Sequence, residues 1–359
     1  MATRIGIFRP PPWTCRRQTG YRDTLTTIGE KNTMAKTRIT LGLPYHPRTR
    51  ALIDGEIAID GYELEITHDP SAGERHYRFA QGEWDIGEYS AATFLRTREK
   101  GFRFLALPIF FERGPRQRNI YHCEGKLNHP SELKGKKIGC FRYGATAVVW
   151  ARGFLLDEYG LKTTDMNWYV SGREVYIGRE LPVKVERLDP PPPFGHEKPH
   201  LAKLLSQGDI HAALVAGDSG YPGLFGGGVL PKAMGEFPGV KPLFDDAEEI
   251  IRWVREKRIY PIIHLIAMKE EAIEKYSDLP AKLLEAFREA KKLATKYLTA
   301  EQIAGQEREK AAIGEDPYAY MMGETEKRTI LALARYQVEQ GLIKESPPLE
   351  SLFVREAFI

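Results

Sequence analysis

Short apolar runs alternate along the chain with segments whose apolar residues recur every three or four positions. Runs of the first kind predict strands, and segments of the second kind predict amphipathic helices. Their alternation is typical of an α/β protein with largely parallel sheets. The predicted strands include TRITLGLPY, YELEITH, FRFLALPIFFE, RNIYHC, KKIGCF and YPIIHLIAMKEE, and the predicted helices include RTRALIDG, AGERHYRFAQG, AATFLRTREKG and TAVVWARGFLLDEYG. From Glu270 onward the pattern is mostly helical.

The order of these elements predicts two lobes with a cleft between them. The chain is expected to cross from the first lobe to the second near residues 119–125 and to return near residues 258–266. Clefts of this kind are where α/β proteins usually bind small molecules. The predicted organisation is a disordered leader over 1–35, lobe I over 36–120 and 265–359, and lobe II over 121–264, with an extended surface connection at LDPPPPFGHEKP.

The composition fits two globular lobes and excludes several classes of protein. A chain of 359 residues with 42% apolar residues is long enough for two cores. The formal charge is +3, but residues 1–33 carry six Arg/Lys and two Asp/Glu, so the remaining chain is nearly neutral. Because nucleic-acid binding requires clustered cations, no nucleic-acid partner is expected. No apolar run reaches about 18 residues, so no membrane partner is expected either.

The first 33 residues and the cysteines suggest a cytoplasmic protein. Residues 1–33 contain no apolar run of secretory length, and a strand pattern starts directly after Met34. An upstream start codon or a disordered leader fits this segment better than an Arg-rich targeting sequence does. The three cysteines are far apart and form no CxxC pair, which fits a reducing compartment. Cys140 is expected to be a core residue.

The segment GKKIGCFRYGATAVVW predicts a strand, a tight turn and a helix start. The first amide N–H groups of a helix lack internal partners, so those of residues 144–147 can donate to an anion. Gly144 allows close approach of the backbone, Thr146 adds a hydroxyl, Arg142 adds a positive charge, and Tyr143 lies in the same turn. These residues predict a carboxylate-binding turn. In the alternative interpretation Gly144 only shapes the turn and Thr146 caps the helix.

Further candidates lie close to the predicted crossings. Arg113 and Arg116 in ERGPRQRN precede the first crossing, and arginine suits bidentate carboxylate recognition. Arg48 follows the first strand, as does His46. His264 in YPIIHL lies at the returning crossing. The alternative interpretation is a solvated surface loop for the arginines and a structural role for His264.

The acidic and hydroxyl residues of the cleft complete the candidate set. Ser90 follows the motif WDIGEY, and Asp218 lies in AGDS. The histidines show no HxH or HExxH spacing, so no metal site is predicted. The sequence leaves open whether acids such as Glu88 or Asp218 hold a divalent cation. The alternative for both acids is helix capping or surface exposure.

An ordered series of motifs over about residues 38–354 resembles the 4,5-dihydroxyphthalate decarboxylase family. The motifs are PRTRALIDG, WDIGEYSAATF, PIFFERGPRQRNIY, SELKGKKIG, TAVVWARGFLLDEYG, GDIHAAL, YPIIH and YQVEQGL. That family is similar in turn to type II periplasmic solute-binding proteins. The resemblance implies a two-lobed, Venus-flytrap-like α/β fold, here followed by a C-terminal helical segment.

The resemblance also implies decarboxylation of a hydroxylated aromatic acid without an organic cofactor. Arg113, Arg116 and the turn at 142–146 would hold carboxylate, His264 would act as the acid or polarise a phenol, and Tyr143 would contact the ring. A solute-binding protein for a small aromatic acid is the alternative, and a homo-oligomer is possible in either case. The similar pyrimidine synthase of thiamin biosynthesis is disfavoured, because its cysteine-rich motif is missing.

Overall fold

The computed structural model describes residues 36–68, 71–172, 179–188, 196–216 and 232–358, and residues 36–359 form one compact unit. The predicted leader, Asp218 and most of the proline-rich connection lie outside the described residues. The strands are β1 (Thr37–Leu43), β2 (Tyr62–His68), β3 (Ile86–Ser90), β4 (Phe104–Arg113), β5 (Ile120–Cys123), β6 (Lys137–Cys140), β7 (Asn167–Val170), β8 (Val185–Arg187), β9 (Ala212–Leu214), β10 (Val240–Pro242) and β11 (Ile262–Lys269). The helices are α1 (Pro47–Ile53), α2 (Ala72–Ala80), α3 (Ala91–Glu99), α4 (Thr146–Tyr159), α5 (Glu197–Gln207), α6 (Lys232–Gly235), α7 (Ala247–Lys257), α8 (Glu270–Lys275), α9 (Leu279–Leu293), α10 (Ala300–Ile313) and α11 (Glu324–Glu339).

The first sheet forms the centre of lobe I and has the strand order β2-β1-β3-β11-β4. Strand β1 pairs parallel with β2 and β3, as the strand–helix alternation predicts. Strand β11 comes from far along the chain, inserts between β3 and β4, and pairs antiparallel with both. Because β11 lies between β3 and β4, residues that are far apart in the sequence become neighbours in the sheet. The site described below is formed by such neighbours.

The second sheet forms the centre of lobe II and has the strand order β10-β5-β9-β6-β7-β8. Strands β9, β6, β7 and β8 are parallel, whereas β5 and β10 are antiparallel to their neighbours. Cys140 at the end of β6 is buried, in agreement with its predicted place in the core. Helix α4 follows β6 after a short turn and ends at Gly160, whose φ of 64° favours glycine.

The chain changes sheets between β4 and β5 and again between β10 and β11, close to the two predicted crossings. The predicted lobe boundary after His264 falls inside β11, because Ile262 already pairs with Arg113 in the first sheet. Sheet membership therefore places the return a few residues earlier than the sequence pattern does. The segment HPSELKG between β5 and β6 forms a 3-10 turn over Pro130–Leu133.

The C-terminal helical segment packs mainly on lobe I. Helix α9 lies against α1 and β4, and α11 lies against α3 and α4. The backbone of Ala106 in β4 exchanges hydrogen bonds with Leu352 and Val354, so the C-terminal segment also lines the edge of the first sheet. None of the helices in the described part of the chain combines the length and apolar character that a bilayer crossing requires.

Candidate active site

Three neighbouring strands of the first sheet place Glu88, Glu112 and His264 together. His264 on β11 lies opposite Ser90 on β3 and opposite Glu112 on β4. Glu88 is two residues before Ser90, so its side chain points to the same face of the sheet as that of Ser90. The register between β11 and β4 shifts on both sides of His264, an irregularity of the β-bulge kind that is common next to active sites.

These residues form a chain of alternating charges that we term the relay cluster: Arg75, Glu88, His264, Glu112 and Arg116. His264 Nδ1 lies 2.7 Å from Glu88 Oε1 and 3.1 Å from Glu112 Oε2. Arg75 donates to Glu88 Oε2 from Nε at 2.9 Å and from Nη2 at 2.7 Å. Arg116 Nη2 donates to Glu112 Oε1 at 2.8 Å. Each carboxylate thus lies between an arginine and the same imidazole.

The electrostatics of the cluster favour a protonated His264. Burial alone lowers the pKa of His264, but the charges of Glu112 and Glu88 and the hydrogen bond to Glu88 outweigh burial and raise it. Burial raises the pKa of Glu88, but His264 and Arg75 outweigh this effect and hold it well below the usual range. The raised pKa of His264 and the lowered pKa of Glu88 therefore favour a protonated imidazole beside an ionised Glu88.

His76 on α2 is a second imidazole beside Glu88. Its Nε2 is buried and lies 3.7 Å from Glu88 Oε2, and burial lowers its pKa to about 4, so it is neutral. His76, Glu88 and His264 each offer a ligand atom within 4.8 Å of the others, a set that suits ions such as Zn²⁺ or Fe²⁺. Arg75 and His264 already balance the charge of Glu88, so a cation at this site would have to displace one of them.

Arg142 reaches from the turn before α4 to the first turn of α2. A Cβ atom at Gly73 would lie only 3.1 Å from Arg142 Nη2, so the guanidinium packs directly on this turn. The backbone carbonyl of Arg142 accepts a hydrogen bond from Ala145 N–H at 3.3 Å. The side-chain Nε of Arg142 is buried without a partner among the residues that the structure describes. A guanidinium and the positive end of a helix repel each other, so an anion bound beside both would stabilise the contact.

Ser90, Gly144 and Thr146 meet where α3 and α4 begin. The hydroxyl oxygens of Ser90 and Thr146 are 2.7 Å apart, and the backbone N–H of Ala92 donates to Thr146 Oγ1 at 3.0 Å. Arg96 from α3 donates to the Gly144 carbonyl at 2.7 Å. The interpretation of Thr146 as a cap is wrong, because Ala145 is the N-cap and no side chain caps α4. These bonds join the two lobes.

His46 and Arg48 lie at the start of α1, beside Phe111. His46 is the N-cap and accepts a hydrogen bond from the Arg48 backbone N–H at 3.1 Å. Burial, and after it the charge of Arg48, lowers the pKa of His46 well below the usual range. Arg48 Nη2 donates to the Phe111 carbonyl at 2.7 Å, and its guanidinium stacks on Tyr318. Both residues have structural partners close to the relay cluster.

Arg113 and Tyr143 lie apart from the relay cluster. Arg113 is 1% exposed, and its Nη1 donates to Glu326 at 2.5 Å and to the Pro317 carbonyl at 2.6 Å. The Tyr143 ring is buried, with the Arg152 guanidinium 3.7 Å from its centre. The structure gives both side chains roles in packing rather than an orientation toward His264, so neither enters the proposed mechanism.

Sequence reasoning missed four residues of this region: Arg75, His76, Arg96 and Glu112. Arg75 and His76 are adjacent on α2, within GERHYRF, and resemble ordinary surface positions of an amphipathic helix. Glu112 was overlooked beside Arg113, although it ends a predicted strand, where functional side chains of α/β proteins gather. The signal that could have identified Glu112 is its position as a charged residue at the end of an apolar strand.

Comparison with known proteins agrees with the fold and the sequence motifs. The chain is 30% identical over 277 residues to 4,5-dihydroxyphthalate decarboxylase from Comamonas testosteroni, covering 74% of this chain and 78% of the relative. It is 31% identical over 190 residues to the enzyme of the same name from Pseudomonas putida, covering 50% of this chain and 71% of the relative. No protein-family model matches the chain.

Solved structures show the same architecture at low sequence identity. The periplasmic aliphatic sulphonate binding protein SsuA from Escherichia coli has a TM-score of 0.54 at 12% identity, covering 89% of this chain and 93% of its own. The alkanesulfonate-binding protein SsuA from Xanthomonas axonopodis pv. citri has a TM-score of 0.50 at 13% identity, covering 89% and 97%. At such identities the likeness concerns the fold alone.

The fold thus defines a two-lobed α/β protein of the periplasmic solute-binding type, with a charged histidine cluster on the sheet of lobe I. The chain belongs to the 4,5-dihydroxyphthalate decarboxylase family.

Proposed function

We propose that the protein decarboxylates a hydroxylated aromatic carboxylic acid without an organic cofactor, with 4,5-dihydroxyphthalate or a close analogue as substrate and protocatechuate and CO2 as products. The single observation that carries the proposal is the position of His264, held between the carboxylates of Glu88 and Glu112. Membership of the decarboxylase family supports the reaction class.

Binding would use the positive groups in and near the relay cluster. Arg142 packs on the first turn of α2 with like polarity, which favours a carboxylate bound beside both. Arg116 adds a buried guanidinium beside Glu112. Holding the retained carboxylate and the ring in a fixed orientation removes much of the entropic cost of the reaction.

The chemical step is a proton transfer followed by loss of CO2. His264 would donate its proton to the ring carbon that carries the leaving carboxylate, giving a keto-like intermediate as a phenolic O–H gives its proton to water. The bond from that carbon to the carboxylate then breaks and CO2 leaves. The electron pair of that bond restores the aromatic ring as the keto oxygen takes a proton back from water. Arg75 fixes Glu88, so Glu88 keeps the imidazole oriented and stabilises its charged form.

The alternative function is that of a solute-binding protein for a small aromatic acid. The fold of the SsuA proteins favours this alternative, because it is the fold of proteins that bind and release ligands. The two functions differ in turnover, since a binding protein leaves the acid unchanged.

A screen of hydroxylated aromatic mono- and dicarboxylates separates the two functions. The expected result is release of CO2 with the matching decarboxylated product, fastest for an ortho-dihydroxy acid, because its phenolic oxygens assist ring protonation. Product mass spectrometry and calorimetric binding are measured on the same samples, with and without a chelator. Tight binding of an unchanged acid across the screen would reject the decarboxylase and support the alternative.

A further inference from the structure

The two carboxylates bound to His264 differ in how firmly they are held. Glu88 is 2% exposed and receives two hydrogen bonds from Arg75 on one oxygen. Glu112 is 31% exposed and is held by one bond from Arg116, besides its contact with His264. A buried carboxylate with a cation on each side stays in place, whereas a partly exposed one can exchange its partners for water.

The groups that bind Glu112 are themselves fixed. Arg116 is 5% exposed, and its Nη1 donates to the carbonyls of Gly114 at 3.0 Å and Pro115 at 3.2 Å. His264 is fixed by Glu88 on the adjacent strand. Two cationic donors with further partners of their own therefore converge on one partly exposed carboxylate, 2.8 Å and 3.1 Å from its two oxygens.

We infer that Glu112 occupies the position of a ligand carboxylate and is displaced when an aromatic acid binds to Arg116 and His264. This inference takes the aromatic acid as ligand from the proposed function. What it adds is the role of Glu112 in selecting which acids bind. Both carboxylates would compete for the same charge-assisted hydrogen bonds. Glu112 thereby weakens the binding of every acid, and only acids with additional contacts, such as those to Arg142, displace it effectively.

Removing the charge of Glu112 should change the affinity for acids in opposite directions, depending on whether Glu112 competes with the acid or only supports its neighbours. If Glu112 merely supports Arg116 and His264, removing its charge should disorder both donors and weaken acid binding. If Glu112 is a competitor, removing its charge should tighten acid binding, because the acid no longer displaces a charged partner.

The test compares wild-type protein with Glu112→Gln by calorimetric titration with benzoate, a simple aromatic carboxylate. The expected result is that Glu112→Gln binds benzoate at least about fivefold more tightly, as loss of one competing charge-assisted hydrogen bond requires. Glu83→Gln is the control, since Glu83 is an exposed carboxylate paired with Arg78 outside the cluster, and its affinity should equal that of the wild type. Glu112→Asp keeps the charge with a shorter reach and should also tighten binding, to a smaller extent.

Equal or weaker benzoate binding by both Glu112 variants would overturn the inference, and so would undetectable binding by all four proteins. If Glu112→Gln fails to fold, as judged by its thermal transition, the result for Glu112→Asp decides. Tighter benzoate binding together with no CO2 release from any acid would support the inference and reject the decarboxylase, so the two failures are distinguishable.

Discussion

Replacing His264 with alanine is expected to lower kcat for decarboxylation by about 10²- to 10⁴-fold, the usual contribution of a positioned general acid. The imidazole is the group in the relay cluster that holds a proton between two carboxylates, and alanine leaves no donor there. Steady-state kinetics by CO2 release measure the effect. His200→Ala is the control, since this histidine lies on α5 in the other lobe and should change nothing.

The pH dependence of the decarboxylation rate is a second test of the role of His264. Because Glu112 and Glu88 raise the pKa of His264 against the effects of burial and of Arg75, its proton persists above the ordinary value of about 6.5. The rate should fall as the pH rises through this raised pKa. The stabilisation from the protonated imidazole should disappear over the same rise, since it is present in full only below the unfolded pKa. A His264→Ala protein with the native rate and the native pH profile would remove His264 from the mechanism.

Replacing Arg113 with alanine is expected to lower the free energy of unfolding by about 3–5 kcal/mol, because the change leaves a largely buried carboxylate without its partner. Arg113 donates to Glu326, to the Pro317 carbonyl and, at 3.0 Å, to the Tyr260 carbonyl. The guanidinium thus ties β4 to the segment before β11 and to α11. Denaturant unfolding measures the loss.

Two further variants show whether Arg113 acts on the fold or on the reaction. Glu326→Gln should destabilise the protein in the same direction, since it breaks the same buried pair. Arg38→Ala, which removes an exposed pair with Glu65, should change stability little. Native stability of the Arg113 variant with a specific loss of activity would restore the substrate-binding role that the sequence suggested.

The elements of the fold could be predicted because their signals are local. The apolar runs at Ile39 to Leu43 and at Ile262 to Met268 identify strands without knowledge of their partners. Strand order has no such signal, so the insertion of β11 between β3 and β4 could not be predicted from periodicity. That insertion decides which side chains meet His264.

The site could be predicted only where a residue lies at a recognisable boundary. His264 and Arg142 lie at a crossing and at a helix start, and the structure brings both to the relay cluster or its border. Residue type alone did not separate Arg116, which faces Glu112, from Arg113, which faces Glu326. Tyr143 belongs to the core because its ring stacks on Arg152, a partner nine residues away that no spacing rule identifies.

The most direct measurement of the central claim is the incubation of 4,5-dihydroxyphthalate with the protein in D2O, followed by mass spectrometry and NMR of the product. If His264 protonates the ring carbon that loses CO2, the product carries one deuterium at that carbon for each CO2 released, and His264→Ala slows both events equally. An unchanged acid after prolonged incubation with the wild-type protein, or labelled product formed at the native rate by His264→Ala, would contradict the account.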